Sequence, residues 1–211
     1  MGHLLTAAGT GAKARGRTER ALDAVLGVSV WIWAAGLFLH EGGPPLAVRV
    51  AVAVLNGGVG LLFLLRAPAL AHGSRGAMLS AIPSIALGGV ALRMAPEAWP
   101  LPATIAFVAA TAVAVIALLF LGRSFAILPA RREVVARGPY RWVRHPAYAS
   151  ELLMVIAAGA ARAWWAALLL GALVALTLVP RIRAEEALLA EDEAWAAYAR
   201  KVRYRLLPGL F

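Results

Sequence analysis

Long apolar runs separated by short polar breaks set the frame of this chain. The runs Ala21 to Leu39, Leu46 to Leu65, Ala77 to Leu92 and Leu101 to Leu121 are each near the ~20 residues that an α-helix needs to cross hydrocarbon. Between them lie Gly42-Gly43-Pro44-Pro45, then Arg66 to Gly76, then Pro96 to Pro102 around Trp99, a residue suited to a membrane interface. A further run, Ala147 to Pro180, is too long for one comfortable span and holds Gly159 and Arg162-Ala163-Trp164-Trp165 near its middle. It predicts a helical hairpin with arms of about Ala147 to Ala160 and Ala163 to Val179 and a bend at Ala161-Arg162, the first arm short enough to tilt. From Arg181 to Arg205 the pattern becomes that of one amphipathic helix, with Leu188, Leu189, Trp195, Tyr198 and Val202 near helical spacing and Pro208-Gly209 as its stop. Residues 1–20 are polar and basic and are expected to form a mobile tail; the run after them is long for a signal peptide and is kept as a span.

Composition turns this pattern into a class. The chain is 62% hydrophobic and 15% charged, against roughly 45–50% and about 25% in soluble domains. The expected fold is an all-α polytopic membrane helix bundle of about six apolar segments, the last two a hairpin, with a connector and an amphipathic C-terminal helix. Its parts are the tail 1–20, four helices within 21–121, and the region 122–211 with the connector, the hairpin and the C-terminal helix. With no cysteine, disulfides, thiolate metal sites and covalent catalysis through sulfur are excluded, and no histidine pair has zinc spacing, so no metal is expected.

The net charge of +10 changes the picture only through its placement. Taking the N-terminus as inside, 18 of the 21 basic residues fall on one side of the bundle, leaving Arg49, Arg93 and Arg162 opposite. The positive-inside rule then puts both termini and the connector in the cytoplasm, in an inner or plasma membrane. Lipid, not nucleic acid, is the expected partner of this charge.

Candidate chemistry gathers at Arg137 to Ser150, where three arginines, a histidine, two prolines and three aromatic residues interrupt apolar sequence. Pro146 keeps His145 extended and is itself at ease at the first helical position, so Tyr148 and Glu151 fall in the first turns of the hairpin. The helix N-terminus there favours a negative group. Gly138-Pro139 marks a turn that presents Tyr140, Arg141 and Arg144, and arginine clamps carboxylates or phosphates. Lipid anchoring explains such a collar as well. Farther on, Arg181-Ile182-Arg183-Ala184-Glu185-Glu186 reads either as a solvated ion-pair ladder or as two carboxylates holding separate groups of one ligand. A hairpin joins the two halves, because it returns Glu185-Glu186 to the level of His145, where they would enclose a zwitterionic or cationic cofactor.

The residues Gly138-Pro139-Tyr140-Arg141-Trp142-Val143-Arg144-His145-Pro146-Ala147-Tyr148, followed by Arg183-Ala184-Glu185-Glu186-Ala187-Leu188-Leu189, resemble the isoprenylcysteine carboxyl methyltransferase family. The related phospholipid N-methyltransferases share the Arg-His-Pro-x-Tyr and Glu-Glu pattern. The likeness covers roughly Leu121 to Pro208, including the tail from Tyr198, and departs at Ser150, where the family usually has Gly. It implies a methyltransferase with S-adenosylmethionine held between connector, hairpin and C-terminal helix, and a lipophilic small-molecule or lipidated acceptor arriving from the bilayer. The implied cofactor-binding residues are Gly138, Pro139, Tyr140, Arg144, His145, Pro146, Tyr148, Glu185 and Glu186. Arg144 and His145 are matched to the methionine carboxylate, Tyr148 to the adenosine, and Glu185 or Glu186 to the ribose hydroxyls or the ammonium. The catalytic candidates are Arg183, to orient an anionic acceptor, and Glu186, with His145, to take a proton from an amine.

Two other classes fit parts of this pattern. Integral-membrane sterol reductases have a similar C-terminal region with an Arg-His-Pro-type segment and bind a nicotinamide cofactor. A small carrier or scaffold would need the collar only for lipid, but the first four spans show few ionisable groups and no ion path.

Overall fold

A computed structural model of the chain describes residues 2–39, 42–65, 71–72, 82–125, 130–131 and 134–209. The helices are α1 (Gly2–Leu39), α2 (Leu46–Leu65), α3 (Ile82–Arg93), α4 (Leu101–Leu121), α5 (Pro146–Arg162), α6 (Trp164–Leu189) and α7 (Glu193–Lys201). Single 3-10 turns occupy Gly122–Ser124 and Gly138–Arg141. The one departure from an all-helical chain among the described residues is a two-residue antiparallel pair, β1 (Ala71–His72) with β2 (Ala130–Arg131).

Apolar composition and helical length coincide in four elements that are able to cross a membrane: Arg20–Leu39, Leu46–Leu65, Leu101–Ser124 and Trp164–Leu189. Their outer faces carry bare Leu101, Leu119, Leu168 and Leu176, as a lipid-facing surface requires. The other two expected spans are shorter. Helix α5 has 17 residues, as the short first arm anticipates. Helix α3 has 12, about 18 Å at the α-helical rise, and residues 77–81 of that apolar run lie outside those described.

Helix α2 packs on α1 and α4, α4 on α5, and α5 on α6, with α3 against both arms of the hairpin. Val48, Phe107, Val155, Val174, Leu178 and Ile182 meet in the main core. Trp99 is partly buried, its indole N–H donating to the Pro96 carbonyl at 2.9 Å and its ring edge-on to Phe107.

Helical backbone runs back from the first span to Gly2. Two sequence expectations need correction. The hairpin turns at Ala163, which is extended (φ −170°, ψ 155°) and ends α5 while starting α6, one residue beyond the expected bend. The second concerns the C-terminal region, which is not one amphipathic helix. Helix α6 continues through Pro180 to Leu189. Proline deprives only the Leu176 carbonyl of its helical donor, and that residue is exposed, while Leu178, Arg181 and Ile182 hold the continuation in the interior. The break comes at Asp192, whose carboxylate accepts from the Ala194 N–H at 2.8 Å and caps α7, a strong N-terminal signal. Helix α7 ends at Lys201, and Val202 leaves in an extended conformation.

Close approach of α5 and α6 depends on Gly159, where a Cβ would lie 2.8 Å from the backbone of Ala166 and Ala167. Overpacking of this kind costs about 1–3 kcal/mol. Gly159→Val is therefore expected to lower the thermal unfolding midpoint in detergent by several degrees, whereas an unchanged midpoint would mean the arms are not that close.

Candidate active site

The connector between α4 and α5 is held in shape before it offers any side chain. Gly138 has φ +59° and sits where a Cβ would come 2.6 Å from the Phe120 ring, so both the left-handed backbone and the close approach call for glycine. The Pro139 carbonyl accepts from the Trp142 N–H at 3.2 Å. Tyr140 is buried, and its carbonyl accepts a 2.8 Å hydrogen bond from the Tyr198 hydroxyl, tying the connector to α7.

The next residues lie against the C-terminal segment. The Arg144 N–H donates to the Tyr204 carbonyl at 2.9 Å and the His145 N–H to the Arg205 carbonyl at 2.8 Å. The Arg144 guanidinium reaches the Arg203 carbonyl at 3.0 Å. His145 is extended and precedes Pro146, the first residue of α5, the geometry that the His-Pro step dictates.

Both halves of the sequence pattern then meet on α6. Glu186 Oε1 is 2.9 Å from an Arg144 nitrogen and 3.1 Å from His145 Nε2, and Glu186 Oε2 is 2.9 Å from Arg205 Nε. Three basic groups from the connector and the C-terminal segment thus close on one carboxylate. Glu185, one residue earlier on the helix, points elsewhere: its Oε2 accepts from the Tyr148 hydroxyl at 2.6 Å. The Tyr148 ring stacks on His145 with centroids 5.4 Å apart and planes 9° apart, and Trp195 lies 6.4 Å from the imidazole.

The structure therefore brings Arg144, His145, Tyr148, Glu185 and Glu186 together, with Pro146 as the start of their helix. Gly138, Pro139 and Tyr140 shape the wall beside them through backbone. Arg183 does not join the cluster; it is exposed on α6, as are Arg141 and Trp142 on the connector. Ser150, at the position where glycine was expected, is fully buried and returns its hydroxyl to the Pro146 carbonyl at 3.0 Å, so the extra polar atom is absorbed by its own helix. Glu151 is turned one helical turn away from the cluster, toward Arg181 at 3.3 Å. Sequence reasoning missed Arg205 and Trp195 as members. Trp195 carried a signal in the apolar stripe of the C-terminal region; Arg205 carried none, because its approach depends on the chain turning back after α7.

Burial raises the phenol pKa of both Tyr140 and Tyr198, with neighbouring Glu185 adding to the first. An acid whose folded-state pKa is raised leaves stability untouched while both states are protonated, up to about pH 10 for tyrosine. Above that the unfolded chain releases the proton first, and stability falls as pH rises. The unfolding midpoint is thus expected to be level to about pH 10 and to drop beyond it, less steeply in Tyr198→Phe. The carboxylates should separate as well. Removing Glu186 leaves like charges facing one another at a largely buried point and costs about 3 kcal/mol, while Glu185→Ala, which loses one hydrogen bond, costs about half that. Equal midpoints for the two alanine variants would contradict the division of labour.

Residues 103–191 match the isoprenylcysteine carboxyl methyltransferase (ICMT) family. No curated protein matches the chain. The matched region runs from the first turn of α4 to just past the end of α6, so it contains every clustered residue except Trp195 and Arg205. By that match, the part of the chain that builds this site is similar to the isoprenylcysteine carboxyl methyltransferase family.

Proposed function

We propose that the protein is a membrane-embedded, S-adenosylmethionine-dependent methyltransferase acting on a lipophilic acceptor at the cytoplasmic membrane face. The observation that carries this reading is the convergence of Arg144, His145, Tyr148, Glu185 and Glu186 inside the family-matched region. The four long apolar helices support the membrane setting, and the one-sided distribution of basic residues supports the cytoplasmic face.

The donor set fits this cofactor. Glu185 carries only the Tyr148 hydroxyl among the described residues, which leaves carboxylate lone pairs for ribose hydroxyls or an ammonium group. Glu186 is committed to Arg144, His145 and Arg205, so its role is to fix the cations rather than to bind the cofactor directly. Arg144 Nε is buried with no hydrogen-bond partner among the described residues, and such a donor beside the N-terminus of α5 suits a carboxylate. Trp195, beside the imidazole, offers aromatic surface to the adenine.

When bound, the cofactor supplies a methyl group already activated by its positive sulfur. The protein's own task is then to orient the acceptor and to keep water out. Alignment alone is worth on the order of 7–11 kcal/mol, so the lack of a nucleophile–base dyad among these residues is no obstacle. A carboxylate or thiolate acceptor needs no base. An amine acceptor must lose a proton, and Glu185 is better placed than Glu186 to take it, since Glu186 is already held by three basic groups.

Incubation of the purified protein with methyl-labelled S-adenosylmethionine, total membrane lipids and a prenylcysteine analogue should place label in a lipid-extractable product. Glu185→Gln is expected to lower cofactor affinity about tenfold, the loss of a charge-assisted hydrogen bond. Folded protein that labels nothing would count decisively against the reading.

A further inference from the structure

One turn deeper in the bundle than the cofactor-facing cluster lies a second set of polar groups that the proposed reaction does not use. Arg181 is 4% exposed, and one of its terminal nitrogens donates to Ser84 Oγ at 2.7 Å and meets Glu151 Oε2 at 3.3 Å. Ser84 is fully buried and comes from α3, Glu151 from α5 and Arg181 from α6. An arginine and a glutamate drawn into the interior of a membrane bundle are expensive, and such groups persist where they serve a site.

The arginine has a visible connection to one. Its guanidinium carbon stands 4.5 Å from the centroid of the Tyr148 ring. The ring also stacks on His145 at 5.4 Å, and its hydroxyl is spent on Glu185. Tyr148 is thus fixed by the guanidinium, the imidazole and the Glu185 carboxylate, and the guanidinium is itself aimed by Ser84 and Glu151.

Resting on the methyltransferase reading above, we propose that Ser84 and Glu151 are positioning residues that act through Arg181 to hold Tyr148 and Glu185 in cofactor-binding geometry. They make α3, which supplies nothing to the cluster directly, a buttress of the site. The physical basis is ordinary: a cation over an aromatic ring restrains its orientation, and a desolvated contact of this kind is strong enough to carry roughly a five- to tenfold change in an equilibrium constant.

The test compares S-adenosylmethionine binding by calorimetry, in detergent, for the wild-type chain, Ser84→Ala and the double variant Glu151→Met with Arg181→Met. The double variant removes both charges together, so no buried charge is left alone and the fold should persist. The expected result is an unfolding midpoint near that of the wild type, with Kd and KM for the cofactor raised about five- to tenfold and kcat at saturation within about twofold. Ser84→Ala should show a smaller rise in the same direction. A folded double variant with wild-type affinity would overturn the proposal and leave the pair a purely structural one. If the double variant does not fold, Ser84→Ala decides: unchanged affinity overturns the proposal, and a raised Kd at an unchanged midpoint supports it. A wild-type chain that binds no S-adenosylmethionine would instead overturn the methyltransferase reading, and this proposal with it.

Discussion

The Glu186 carboxylate is the point on which the arrangement depends. Arg144 and His145 reach it from the connector and Arg205 from the C-terminal segment, so a single side chain on α6 fixes two stretches that have little regular structure of their own. Backbone hydrogen bonds from Arg144 and His145 to the carbonyls of Tyr204 and Arg205 reinforce the same junction. Without a counter-charge, the guanidinium groups of Arg144 and Arg205 would repel one another at close range. With it, they form a cap on Glu186 beside the Tyr148–Glu185 pair.

This division of work between adjacent carboxylates follows from helix geometry. Neighbouring residues on a helix point about 100° apart, so Glu186 faces the cap while Glu185 faces the hairpin's first arm. One is held by three basic groups and the other by the Tyr148 hydroxyl. The same geometry, one turn earlier on α6, sends Arg181 into the interior against Glu151 and Ser84, so a single helix supplies the cap, the second carboxylate and the support behind them.

Much of this was legible in the residues. The hairpin followed from an apolar run too long for one span, and the extended His145 with α5 starting at Pro146 followed from the dihedral limits that proline sets. Meeting of the Arg-His-Pro segment with Glu185-Glu186 followed from the hairpin. What sequence could not convey depended on long-range packing. Periodicity does not show that buried Leu178, Arg181 and Ile182 carry α6 past Pro180, and Asp192 is a cap only once the helix before it has stopped. The approach of Arg205 needs the chain reversal after α7, and periodicity alone does not tell that Arg181 faces the interior while Arg183, two residues later, stands exposed outside the cluster. The short β1–β2 pair is too brief to leave a pattern at all.

The central claim is that this cluster is built for a sulfonium cofactor, and saturable binding tests it most directly. Titration of the detergent-purified chain with S-adenosylmethionine and, separately, with NADPH should give a saturable heat for the first and none for the second. A saturable signal with NADPH alone, from folded protein, would contradict the account and point to reductase chemistry on the same hairpin.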